Sequence, residues 1–322
     1  MTSTSPPLRL PRLSPWARLA LFIVAFFIVE MTLTELMSPF GLLGMLFSFA
    51  GIFGVVAFFS AFLDRRSFAS IGLEMTRGGL AQFALGAALG VLMLCINLMV
   101  LAATGCVSSV HISSSASPLL IAYALGFLVQ GSAEELMARG YLLQTLLTRY
   151  RAAVAITFQL LVFVGLHLLN PGVSVLAVVN LTIFAFGTSL AYLRLGSLWL
   201  PCGLHFAWNF TLSSVAGLHV SGVDVPVRLY ETTLRGPSLL TGGEFGVEAS
   251  VINTAVWLTF CFVCARRSKR YQQPTWWEQV RTLTRDQFGG VVVEELTEAE
   301  TPAEQPGSAN ADDDSAGASL SP

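Results

Sequence analysis

Apolar positions in this chain come in long blocks, with polar residues gathered between them. Eight blocks read as helices: residues 17–37, 40–63, 80–104, 118–148, 152–169, 173–193, 197–216 and 247–265. About 20 apolar residues rising 1.5 Å each match the ~30 Å hydrocarbon layer of a bilayer. The breaks are Asp64-Arg65-Arg66, the uncharged Ser-rich stretch 105–117, Arg149-Tyr150-Arg151, Asn170-Pro171-Gly172 and Arg194-Leu195-Gly196. A long loop of Gly, Pro and mixed charge, 217–246, precedes the last block. The pattern predicts an all-α fold, a polytopic integral membrane bundle of about eight transmembrane helices.

Composition agrees. The 322 residues are 54% hydrophobic and 12% charged, whereas soluble domains carry about 25% charged residues. A soluble class is excluded, and nothing points to nucleic acid. Lys and Arg set the orientation, because they concentrate on the cytoplasmic side of membrane proteins. With both termini inside, only Arg228 and Arg235 fall outside, Arg139 being within a span. The expectation is a multi-pass protein of the plasma (inner) membrane, embedded in the lipid bilayer, with both termini cytoplasmic. Residues 1–16 read as a disordered basic arm and 17–265 as the membrane domain. Residues 266–288, with Trp276 and Trp277 among basic residues, suit the membrane interface. The acidic stretch 289–322 has no packable face and reads as a disordered tail. Five cysteines argue against a disulfide framework, and Cys261-x-x-Cys264 reads as packing. The first block is long and lacks a small-residue cleavage site, so it is expected to be an uncleaved span.

The block 118–148 contains charges at membrane depth: Glu134, Glu135 and Arg139. Each costs about 2.5–3.5 kcal/mol on insertion scales, so their presence points to function. Glu135 and Arg139 stand at i,i+4, on one helix face, as an ion pair. Glu134 is turned about 100° away, free to face another cavity. Two of the four histidines lie in spans, His167 four residues after Phe163 and His205 four before Asn209. Glu134 is fifteen residues before Arg149 and His167 sixteen after Arg151. Those are about 22 and 24 Å from one basic turn, so the carboxylate and imidazole should lie level. Such a pair can activate a water, and a second imidazole with a carboxamide can bind an oxyanion. The competing reading is polar glue between helices, or a non-catalytic scaffold or transport protein using the same cluster.

Glu134-Glu135-x-x-x-Arg139, Phe163-x-x-x-His167 and His205-x-x-x-Asn209 resemble, in order, the three signature motifs of the CPBP family. These are CAAX-protease and bacteriocin-processing intramembrane proteases, also called type II CAAX prenyl endopeptidases or the Abi family. The likeness spans about 118–265 and includes Gly196-Ser-Leu-Trp-Leu-Pro201 and Thr241-Gly-Gly-Glu-Phe-Gly246. It implies an intramembrane endopeptidase acting on a membrane-anchored peptide or protein. By that resemblance Glu134 and His167 activate water, His205 and Asn209 stabilise the oxyanion, and Glu135, Arg139 and Phe163 support the site. The family is often labelled metalloprotease. Zn²⁺ held by Glu134, His167 and His205 and a metal-free glutamate mechanism both remain open.

Weaker candidates complete the reading. Glu35 should snorkel, and Glu30 should either line the cavity or bond a neighbouring helix, the second being the preferred reading. Asn97, Gln130, Gln159 and Asn180 read as interhelical hydrogen-bond partners. His111 and His219 fall in or beside outer loops. Gly44, Gly51, Gly54, Gly86 and Gly90 read as helix-packing positions.

Overall fold

The computed structural model describes residues 13–74 and 78–266. The expectations for most of the N-terminal arm, for 267–288 of the interfacial segment and for the acidic tail lie outside the described residues. Apolar blocks become helices whose ends are written in local chemistry. Helix α1, Pro15–Met37, starts with Ser14 accepting from the Ala17 amide at 3.2 Å and with Pro at the first position. A turn at Gly41, with φ of +59°, leads into α2, Gly41–Ser48, and α3, Ala50–Phe58. Helix α4, Gly79–Ala103, precedes the motif helix α5, Leu119–Glu135. The latter continues through a π-helical stretch, Leu136–Leu143, into α6, Gln144–Leu147. Then come α7, Ala152–His167, α8, Val175–Leu195, and α9, Trp199–Phe210. A one-turn helix α10, Ser238–Thr241, and α11, Val251–Arg266, finish the described chain.

The fold is a polytopic helical membrane bundle. Four helical stretches are long and apolar enough to cross a bilayer: Pro15–Ser48, Gly79–Ala103, Leu119–Leu147 and Val175–Leu195. Ala50–Leu63, Ala152–His167 and Val251–Arg266 are apolar but shorter. Each block anticipated as a span is built on helix, though several are shorter than a full crossing.

The segment junctions gather in two groups. At one, Arg18 donates to Asp64 at 2.5 Å, Arg66 donates to Gln144 at 2.5 Å, and Gln144 donates to the Ile71 carbonyl at 2.7 Å and to the Tyr192 hydroxyl. At the other, Asn170 donates to the Ser221 carbonyl at 3.0 Å. There too the stretch expected as loop forms strand β1, Val107–Ile112, antiparallel to β2, Tyr230–Leu234. This ribbon is an addition to the all-α expectation. It is local: Ser113 and His111 bond Glu231 at 2.7 and 3.1 Å, tying the two loops together.

The tightest helix crossing is α4 on α9. A Cβ on Gly86 would sit 2.1 Å from the Leu200 carbonyl oxygen, and one on Gly203 would sit 2.1 Å from that of Phe83. Small residues let membrane helices touch backbone to backbone. Gly90 meets α9 in the same way and Gly51 faces Leu33 of α1, whereas Gly54 faces open space and packs against nothing. Gly44 abuts its own preceding turn, at Met37. Gly86→Val should therefore force α4 from α9 and destabilise by about 1–3 kcal/mol or more. A lowered melting temperature in detergent is the expected readout, against an unchanged one for Gly54→Ala.

Candidate active site

Helix α5 presents Gln130, Glu134 and Glu135, and α9 presents His205 and Asn209. Gly131 lets the two meet, because a Cβ there would lie 3.1 Å from the Phe206 amide nitrogen. Glu135 and Arg139 are fully buried. Arg139 donates to Glu135 Oε1 at 3.0 Å and to the Ala185 carbonyl at 2.9 Å, with its guanidinium 4.9 Å from the Phe163 ring centre and 5.8 Å from that of Phe184. The i,i+4 pair is thus present. The sequence held no sign of its third member: Glu135 Oε1 also accepts from His205 Nδ1 at 3.0 Å. A carboxylate only accepts, so Nδ1 carries the proton. His205 Nε2 then faces Glu134, 3.8 Å from Oε2.

Glu134 is 7% exposed; its Oε1 accepts from Gln130 at 2.5 Å, and its Oε2 has no hydrogen-bond partner. The other end of the Gln130 carboxamide accepts from Asn209 Nδ2 at 3.0 Å. Gln130 is thus the interhelical partner expected, and it also orients both a carboxylate and a carboxamide. On α7, His167 Nδ1 donates to the Phe163 carbonyl at 2.8 Å, which leaves Nε2 unprotonated. Glu134, His167, His205 and Asn209 all line one cavity of about 540 Å³. Phe163 lines it too, with ring centres 4.8 Å from His167 and 6.4 Å from His205. The imidazole beside Glu134 is that of His205, however, and His167 reaches the cavity from another wall.

Two residues of the wall were not read as site residues. Glu248 accepts from Trp208 Nε1 at 2.9 Å and from the Ser221 amide and hydroxyl, and its carbonyl accepts from Asn180 and Asn253. Glu30 accepts from Ser48 Oγ at 2.8 Å, the bond to a neighbouring helix that was expected, and lines the cavity as well. Gln159 donates to Ser189 across α7 and α8 as expected. Asn97 does not cross between helices: it donates to Met93 of its own helix at 2.9 Å. Among the described residues, no three of His, Cys, Asp and Glu cluster closely enough to hold a metal. The arrangement does not fit the zinc set Glu134, His167 and His205.

The family model for type II CAAX prenyl endopeptidase, Rce1-like, matches residues 116–211. Residues 116–211 are similar to the Rce1-like domain. No curated protein and no solved structure matches the chain. The Rce1-like domain contains all three motifs and helices α5 to α9, and ends at Thr211. It stops short of residue 265, where the motif likeness was drawn, and leaves α1 to α4 and α11 outside. The match supports an intramembrane peptidase of the CAAX-protease kind. It carries neither the metalloprotease nor the Abi label.

Of the three π-helical stretches among the described residues, Leu136–Leu143 begins just after Glu135 and contains Arg139, and Thr211–Val215 begins two residues after Asn209. Such stretches are frequent at functional sites.

Proposed function

We propose that the chain hydrolyses a peptide bond of a membrane-anchored protein or peptide inside this cavity. What supports the reading most is one atom: Glu134 Oε2, buried and without a hydrogen-bond partner, beside an imidazole in a residue that lines the cavity. Water held between Glu134 and His167 Nε2 gives up a proton to the carboxylate as its oxygen attacks the scissile carbonyl carbon. His205, protonated on both ring nitrogens between Glu135 and Glu134, donates from Nε2–H, and Asn209 donates from its second N–H, to the oxyanion. When the C–N bond breaks, the protonated Glu134 returns that proton to the leaving amine. Glu135 keeps the His205 ring oriented through Nδ1, and Arg139 keeps Glu135 in place. No step is routed through a metal.

The purified full chain in detergent, incubated with a library of apolar peptides, should yield discrete cleavage products by mass spectrometry. Intact peptides across the whole library would remove the peptidase reading.

The proposed setting is the plasma membrane, with the Arg18–Asp64–Arg66 end cytoplasmic and the ribbon outside. Cysteine placed at Ser67 should resist an impermeant thiol reagent added outside intact cells, and cysteine at Thr233 should react. The reverse pattern would invert the topology.

A further inference from the structure

Apart from its two imidazoles, the cavity that holds Glu134 is charged in one sense only. Glu30, Glu35, Glu134 and Glu248 line it together with His167 and His205, and no Arg or Lys does so among the described residues. Three of these carboxylates are held by neutral donors: Glu30 by Ser48, Glu134 by Gln130, Glu248 by Trp208 and Ser221. Arg139, the nearby guanidinium, is spent on Glu135 and the Ala185 carbonyl, behind the wall. Two carboxylate oxygens of this lining have no hydrogen-bond partner, Glu134 Oε2, in a residue more than nine-tenths buried, and Glu30 Oε2.

Carboxylates in a low-dielectric cleft need a counter-charge, and walls of one sign focus the field on an entering ion. A point cation is poorly served, because among the described residues no three acidic, His or Cys groups are placed to hold a metal ion. Carboxylates spread along a cavity of about 540 Å³ suit a longer cationic group. We propose that the cavity selects peptide segments carrying a basic side chain near the reacting bond and disfavours acidic ones, with Glu30 as a specificity-determining residue. Glu30 lies on α1, outside the Rce1-like domain, so this preference would be supplied by the part of the chain that the family match does not reach. The inference rests on the peptidase reading for the nature of the ligand, and its test reads binding instead of cleavage.

The probe is a set of apolar peptides, N-methylated at alternate amides to resist hydrolysis and identical except for one Lys, Gln or Glu. Affinity is measured for the full chain in nanodiscs of zwitterionic phosphatidylcholine, where lipid adds no net charge. The Lys peptide should bind at least about tenfold more tightly than the Glu peptide, the scale of one well-placed charge pair. Glu30→Gln should narrow that ratio about threefold or more and leave the Gln peptide within twofold. Equal affinities, a preference for Glu, an unchanged ratio in Glu30→Gln, or no binding by any peptide would each overturn the proposal. If Glu30→Gln does not fold, the wild-type ratio decides, with Glu35→Gln as the second variant. Charge-selective binding without hydrolysis of the unmethylated peptides would sink the peptidase reading and leave this one standing.

Discussion

Glu134→Gln should insert and fold like the wild type and cleave peptides about 10²–10⁴-fold more slowly, the usual span for loss of a general base. The carboxamide keeps the shape of the side chain. Its oxygen can still accept from Gln130, and its amide nitrogen takes the place of Oε2, the atom that has no partner to lose. What disappears is the capacity to take a proton. The effect should fall on kcat, because the scissile carbonyl and the anchors of the peptide do not depend on that proton. His167→Ala should fold and also be slow, because it removes the Nε2 acceptor that helps to hold the attacking water. His205→Ala is a less clean probe, since it also removes a hydrogen bond from buried Glu135. Cleavage by Glu134→Gln at the wild-type rate would take Glu134 out of the chemistry while leaving open that another group acts as base.

Periodicity and spacing carry information within one helix, and there the sequence was legible. The apolar blocks became helices, the Glu135–Arg139 pair formed at i,i+4, and the depth argument from Arg149–Arg151 brought Glu134 and His167 to one cavity. What spacing does not encode is which faces of different helices meet. The bond from His205 to Glu135, seventy residues away in the chain, depends on α9 closing against Gly131. Gln130 looked like any interhelical amide, and only its two contacts place it between Glu134 and Asn209. Glu248 stands at the start of an apolar block with nothing in its spacing to mark it, and it faces inward because Trp208 and Ser221 meet it there. The ribbon is a pairing of strands more than a hundred residues apart, between loops that no local rule joins. Gly54 and Asn97 failed for a related reason. Their composition suited a helix contact, but the face each occupies meets open space or its own helix.

Arg139→Ala should cost about 3–5 kcal/mol, the toll of stranding one member of a buried ion pair. Set against total stabilities of about 5–15 kcal/mol, that is enough to lower the yield of folded protein. The guanidinium is fully buried, and three surfaces depend on it: Glu135, the Ala185 carbonyl of α8 and the ring of Phe163 on α7. Alanine would leave Glu135 with His205 as its one hydrogen-bonding partner and would open a void between α5, α7 and α8. Arg139→Lys should recover only part of the loss, because an ammonium cannot present the planar fork that reaches the carboxylate and the carbonyl together. Removing both charges, as in Glu135→Gln with Arg139→Met, should melt higher than Arg139→Ala alone, since an uncompensated buried charge costs more than an absent pair. The same double variant should stay inactive, because a neutral carboxamide at 135 holds the His205 ring less firmly. Melting temperature and size-exclusion profile in detergent, read beside peptide cleavage, separate the two effects. An Arg139→Ala protein with wild-type melting would mean that the pair is not structural and that Arg139 serves the reaction alone.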